Sequence, residues 1–112
     1  MPVDDDGRPT VLNVASRRRA MNVIVALDGE LDLDGVPLLL TEVRQQLASG
    51  AEVIEIDAAA LSFIDSAGLH AILAAKAAAK AAGRQFRVGA ASTHLTRVVE
   101  LTGLAETLCL LN

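Results

Sequence analysis

Aromatic residues are almost missing from this 112-residue chain: tryptophan and tyrosine are absent, and two phenylalanines make up the whole aromatic content of 2%. A core must therefore be assembled from Ala, Val, Leu and Ile. Such small side chains suit helices lying close to a sheet and leave little volume for a large internal ligand pocket. The same scarcity removes the stacking platforms that bind single-stranded bases. Basic charge is also in short supply, with 10 Lys and Arg against 14 acids and a net charge of −4. Nucleic-acid recognition leans on a basic surface to neutralise phosphates, so nucleic acid is excluded as an expected partner. The single basic run, Arg17-Arg18-Arg19, has no aromatic neighbour and reads as a solvated hairpin turn.

Cysteine is limited to Cys109, which excludes an internal disulfide and fits a reducing compartment. It lies in the apolar run LCLL and reads as a small buried core residue. Two histidines, His70 and His94, without partner cysteines do not make a zinc site. No phosphate-cradling glycine loop occurs, and no cofactor is expected. No apolar run reaches the roughly 18 residues of a transmembrane helix. The longest candidate, AGLHAILAAKAAAKAAG, carries His70, Lys76 and Lys80, and the N-terminal MPVDDDGRPT lacks a signal-peptide core. A cytoplasmic protein with no membrane insertion is expected.

Residues 1–9, with Pro2, Gly7, Pro9 and three consecutive acids, read as a flexible tail ahead of a single domain over 10–112. TVLNVA and MNVIVAL flank SRRR, which predicts a hairpin with strands near 11–15 and 22–27. The turn chemistry of DGELDLDG is then expected to break the second strand. Val36, Leu39, Leu40, Val43 and Leu47 recur at helical spacing, with Pro37 tolerated in the first turn and Gly50 placed to end the helix. EVIEID predicts a strand over 52–57, and an alanine-rich helix follows over about 67–82, closed by Gly83. QFRVGA predicts another strand, and Leu95, Val98, Val99 and Thr102 a third amphipathic helix ending at Gly103.

Strands alternating with helices predict an α/β fold: a mixed, mostly parallel sheet of four to five strands packed against three to four helices. Such sheets carry functional loops at the carboxyl ends of their strands, here 29–34, 61–66 and 91–94. That topology gathers Asp32, Asp65, Ser66 and Thr93 on one edge, with Ser66 near its centre. Asp65, Ser66 and His70 do not complete a hydrolase triad, because Ile64 stands where the first glycine of a nucleophile elbow belongs. Ser66 fits a helix N-cap, and the same position, at the positive end of a helix dipole, also suits an added phosphate. The residues are not those of an enzyme, and spacing leaves cap and modification site both open.

Three separated stretches, GELDLDGVPLLL, LSFIDSAGLHAIL and ASTHLTRVVELTGL, resemble the signatures of the STAS domain in the anti-sigma factor antagonist family. The likeness spans about residues 10–111. It implies that Ser66, directly after Asp65 of the D-S-A-G stretch, is the phosphoacceptor. Asp32, which closes G-E-L-D, would lie beside it on a partner-binding surface shared with Asp65, Ala67, Gly68 and Thr93.

The implied function is a bacterial partner switch in transcription regulation and stress response. The unmodified protein would bind an anti-sigma factor that is also a serine protein kinase, freeing a sigma factor. Phosphorylation of Ser66 by that kinase would release the complex, and a metal-dependent serine phosphatase would restore it. Several positions differ from the family pattern: Asp34-Gly35 after G-E-L-D, Ala58-Ala59-Ala60 before the serine motif, His70 after it, and Thr93-His94 at the third helix. The rival implied role is a STAS accessory subunit of a bacterial ABC lipid transporter.

Overall fold

The β-rich segments LNVASRRR and NVIVALDGEL pair as an antiparallel hairpin, β1 (Leu12–Arg19) and β2 (Asn22–Leu31), with register from Leu12↔Gly29 to Arg19↔Asn22. The structure, a computed structural model, describes residues 12–103; the expected tail over 1–9 and the expected burial of Cys109 lie outside them. The chain continues through α1 (Val36–Ala48), β3 (Val53–Ile64), α2 (Ser66–Ala81), β4 (Gln85–Ala91) and α3 (Thr93–Thr102). Sheet order is β1-β2-β3-β4, with both β2/β3 and β3/β4 parallel, so the sheet is mixed and mostly parallel as expected.

Three boundaries differ from the sequence expectation, each for a local physical reason. Arg17-Arg18-Arg19 belongs to β1 rather than to the turn; the chain reverses at Ala20 and Met21, and Ala20 adopts the left-handed region at φ 56°. An edge strand has one solvated side, which accommodates long charged stems. Arg18 also donates to the Ser49 carbonyl at 3.1 Å, tying the hairpin to the end of α1. The turn-forming Asp28-Gly29 does not end β2. It is absorbed by register shifts at Ala26/Asp28 and Gly29/Glu30, with Gly29 at φ 111°. Likewise β3 runs through AAALSF to Ile64, because β2 remains beside it up to the pair Leu31↔Ile64.

The core is aliphatic throughout. Val23, Val25 and Leu27 of β2, Ile54 and Ile56 of β3, and Val88 of β4 are buried with Leu39 and Val43 of α1. Each such side chain contributes about 1.5–3 kcal/mol by leaving water. Ala71, Ala75 and Ala79 are buried alongside Leu69 and Ile72 on α2, so these alanines form the packing face itself and let the helix lie close to its neighbours. A left-handed Gly103 at φ 71° ends α3, its N–H donating to the Val99 carbonyl.

Candidate functional site

The parallel strands β2 and β3 finish side by side at Leu31↔Ile64, so the next residues, Asp32 and Asp65, leave the sheet together. Each acid begins a new element. Asp32 accepts from the Asp34 N–H at 3.1 Å and caps a short 3-10 turn over Leu33–Gly35. Asp65 Oδ1 accepts from the Gly68 N–H at 2.8 Å and caps α2. Both carboxylates thus face positive ends of backbone dipoles, which stabilises negative charge there. Asp65 also donates its own N–H to the Leu31 carbonyl at 3.3 Å, extending the tie between the strands by one residue.

The expected N-cap role of Ser66 is therefore corrected: Asp65 holds that position and Ser66 is the first helical residue. Aspartate at φ −107°, ψ −174° has the extended backbone a cap requires, and its carboxylate is the stronger acceptor. Ser66 is exposed, with its hydroxyl outside the cap. Grooves of about 490 Å³ beside Pro37 and Leu38 and about 280 Å³ beside Thr93 and Glu100 lie elsewhere, and Ser66 lines neither. His70 is exposed one turn along.

Gly68, expected on the contact surface, is buried. A Cβ there would stand 2.2 Å from the Leu31 carbonyl oxygen and 2.9 Å from Ile64. Its effect on the surface runs through position, because only glycine lets the first turn of α2 rest on the end of β2. Ala67 is half-buried and Thr93 is exposed. Thr93 opens α3, whose cap is Ser92, accepting from the Leu95 N–H at 3.1 Å. The segment 91–94, expected as a loop, is thus reduced to Ser92 between β4 and α3. Ser92 also donates its N–H to the Ala58 carbonyl at 3.0 Å, which brings the start of α3 beside β3.

Two side chains at this end, Leu33 and Phe63, escaped the sequence reading. Leu33, between Asp32 and Asp34, is 70% exposed. Phe63, at 39% exposure, has its ring 5.5 Å from that of His94, tilted by 36°. His94 Nε2 lies 3.4 Å from the Ile64 carbonyl, linking α3 to the residue before the Asp65 cap. An apolar residue between two acids was the available signal for Leu33; the pairing of Phe63 with His94 needs the fold.

Replacing the cap tests this local geometry. Asp65→Ala is expected to destabilise the protein by about 1 kcal/mol, read by urea unfolding. An unchanged midpoint would show that Asp65 does not hold the first turn.

Comparison with known proteins places this arrangement. No curated protein matches by sequence. Among solved structures, an anti-sigma factor antagonist from Mycobacterium paratuberculosis is 24% identical, with 97% of this chain and 89% of that one covered and a TM-score of 0.78. The phosphorylated form of the Bacillus cell fate determinant SpoIIAA is 22% identical over 89% of this chain and 92% of that one, at a TM-score of 0.67. A sulfate transporter family protein from Wolinella succinogenes is 17% identical over 80% of this chain and 73% of that one, at 0.69. At these identities the likeness is one of fold. Among the described residues no helix is long and apolar enough to cross a membrane. The family described as "Mlab, STAS domain" matches residues 10–112, and the chain belongs to it, a STAS-domain protein.

Proposed function

We propose that this protein is an anti-sigma factor antagonist whose hold on an anti-sigma factor serine kinase is released by phosphorylation of Ser66. The observation that carries the reading is the exposed hydroxyl of Ser66 in the first turn of α2, directly after a cap supplied by Asp65. Support comes from structural neighbours named as anti-sigma factor antagonists, among them SpoIIAA, solved in unphosphorylated and phosphorylated forms.

In this reading the chain performs no catalysis. The kinase, with ATP and magnesium, moves the γ-phosphoryl group to Ser66 Oγ, breaking the β–γ phosphoanhydride bond and releasing ADP; the serine proton passes to a kinase base. A metal-dependent phosphatase returns the hydroxyl by hydrolysis. The site would accept the modification without refolding. The phosphate adds about −1.5 to −2 charge at a helix N-terminus, where the backbone field favours it. The partner would instead meet a solvated dianion next to Asp65 that it must desolvate or leave.

A second reading is a transport role, as an accessory subunit of a bacterial ABC lipid transporter; what supports a transport role in general is the same fold in a sulfate transporter family protein from Wolinella succinogenes. A pull-down from the source organism with wild-type and Ser66→Asp baits separates the two. Recovery of an ATP-binding serine kinase by wild type alone supports the partner switch. Recovery of a transporter ATPase by both baits would assign the protein to the transport role.

A further inference from the structure

Charge is sorted by position along the strands. Asp28, Glu30, Asp32, Asp34 and Asp65 lie toward the Ser66 end, whereas no Lys or Arg falls in segments 28–36, 58–70 or 91–96, and Arg97 stands one turn along α3 in the groove beside Thr93. Arg17, Arg18 and Arg19 belong to the opposite end, beside the start of β2. Set into the acidic end are the exposed Leu33 and Phe63. Single exposed apolar residues are ordinary on a protein surface. These two differ in their place, at the carboxyl ends of β2 and β3 beside Asp32 and Asp65. The 3-10 turn carrying Leu33 is fixed by the Asp32 cap, and Phe63, paired with Glu30 across the strands, lies against His94. A backbone already fixed at Leu33 and a ring already packed at Phe63 reduce the freedom lost on binding, which is the property of an anchor.

We infer that Leu33 and Phe63 are the apolar anchors of the docking surface, and that they fit a protein partner with apolar sockets bordered by arginine or lysine. The inference rests on the partner-binding reading and adds the chemistry of the partner. It also divides the work of the surface. The acidic rim steers encounter and sets the association rate, while the desolvated anchors set dissociation. Phosphate at Ser66 then acts at the centre, where apolar sockets cannot solvate it, so it accelerates dissociation despite attraction by the basic rim.

The test captures partners with wild-type protein and with Leu33→Ser/Phe63→Ser, each checked for native circular dichroism. The protein retained by wild type alone is purified and its kinetics measured by biolayer interferometry. Leu33→Ser and Phe63→Ser are each expected to raise the dissociation rate about tenfold. Asp34→Asn should lower the association rate severalfold and weaken its salt dependence, about one Debye length (~8 Å at physiological salt) being the range over which the rim acts. Leu101→Ser, at 81% exposure on the far turn of α3, should change neither. The inference is overturned if no protein distinguishes the two baits, if dissociation is unchanged in both single variants, or if Leu101→Ser matches them. Loss of a dimer of this chain on Leu33→Ser, seen by light scattering, would make the surface a self-interface and overturn it too. Ser66→Asp runs in parallel: wild-type binding by that variant would sink the phosphorylation switch while leaving the anchors standing.

Discussion

Gly68→Ala is expected to lower stability by about 2 kcal/mol, with a melting temperature lower by about 8–16 °C. Two effects oppose each other at this position. Alanine is the better helix former, a gain of about 1 kcal/mol in an exposed helix. Against it stands a Cβ placed 2.2 Å from the Leu31 carbonyl oxygen and 2.9 Å from the side chains of Leu31 and Ile64. Relief cannot come from a rotamer change at the Leu31 oxygen, which is backbone, so α2 must move away from β2. Overpacking costs about 1–3 kcal/mol and occasionally more, and the rigid neighbour places this case at the upper end. The clash wins. Gly89 supplies the contrast: its added Cβ would meet the side chain of Glu55, whose carboxylate Arg87 holds at 2.7 Å, so relief costs that partly exposed ion pair rather than a backbone shift. Gly89→Ala should therefore cost less, about 1 kcal/mol, the upper worth of a partly exposed ion pair. Thermal unfolding of both variants reads the difference. Equal melting temperatures would mean that α2 does not rest on β2 as described.

Phosphoserine at position 66 is expected to weaken partner binding at least a hundredfold, which corresponds to about 2.7 kcal/mol. Fold stability should shift by less than about 1 kcal/mol. The asymmetry follows from position. Within the protein, the new charge sits at the start of α2, and water still reaches it because Ser66 is exposed. The helix dipole offsets the repulsion from Asp65 and Asp32. Within the proposed complex, the same charge must give up its hydration shell where the partner covers Ser66. Binding isotherms and urea unfolding on both forms separate the two quantities. Equal losses in both would mean that phosphorylation acts by damaging the fold.

Much of this site was legible before the fold was known. G-E-L-D and D-S-A-G pointed to Asp32, Asp65 and Ser66, and the alternation of strands with helices put them at the carboxyl ends of strands in a mostly parallel sheet. Capping was misjudged at Ser66 because serine and aspartate are both good caps and adjacent here; only the backbone angles of Asp65 decide between them. The extent of β2 was underestimated because Asp-Gly normally signals a turn. Pairing with β3 outweighs that local preference and turns Gly29 into part of a bulge. Gly68 read as a contact residue because sequence gives no depth, and its closeness to Leu31 depends on how α2 crosses the end of β2. Leu33 and Phe63 escaped notice for the converse reason: periodicity predicts which residues are buried, not which apolar residues are left outside.

The most direct measurement is to incubate the captured kinase and Mg-ATP with the unmodified protein. The modified residue would be mapped by tandem mass spectrometry, and the complex followed by size-exclusion chromatography. A single phosphate on Ser66, with loss of the complex and its recovery after phosphatase treatment, is the expected result. Modification at another residue, no modification, or a complex that survives phosphate on Ser66 would contradict the proposed switch.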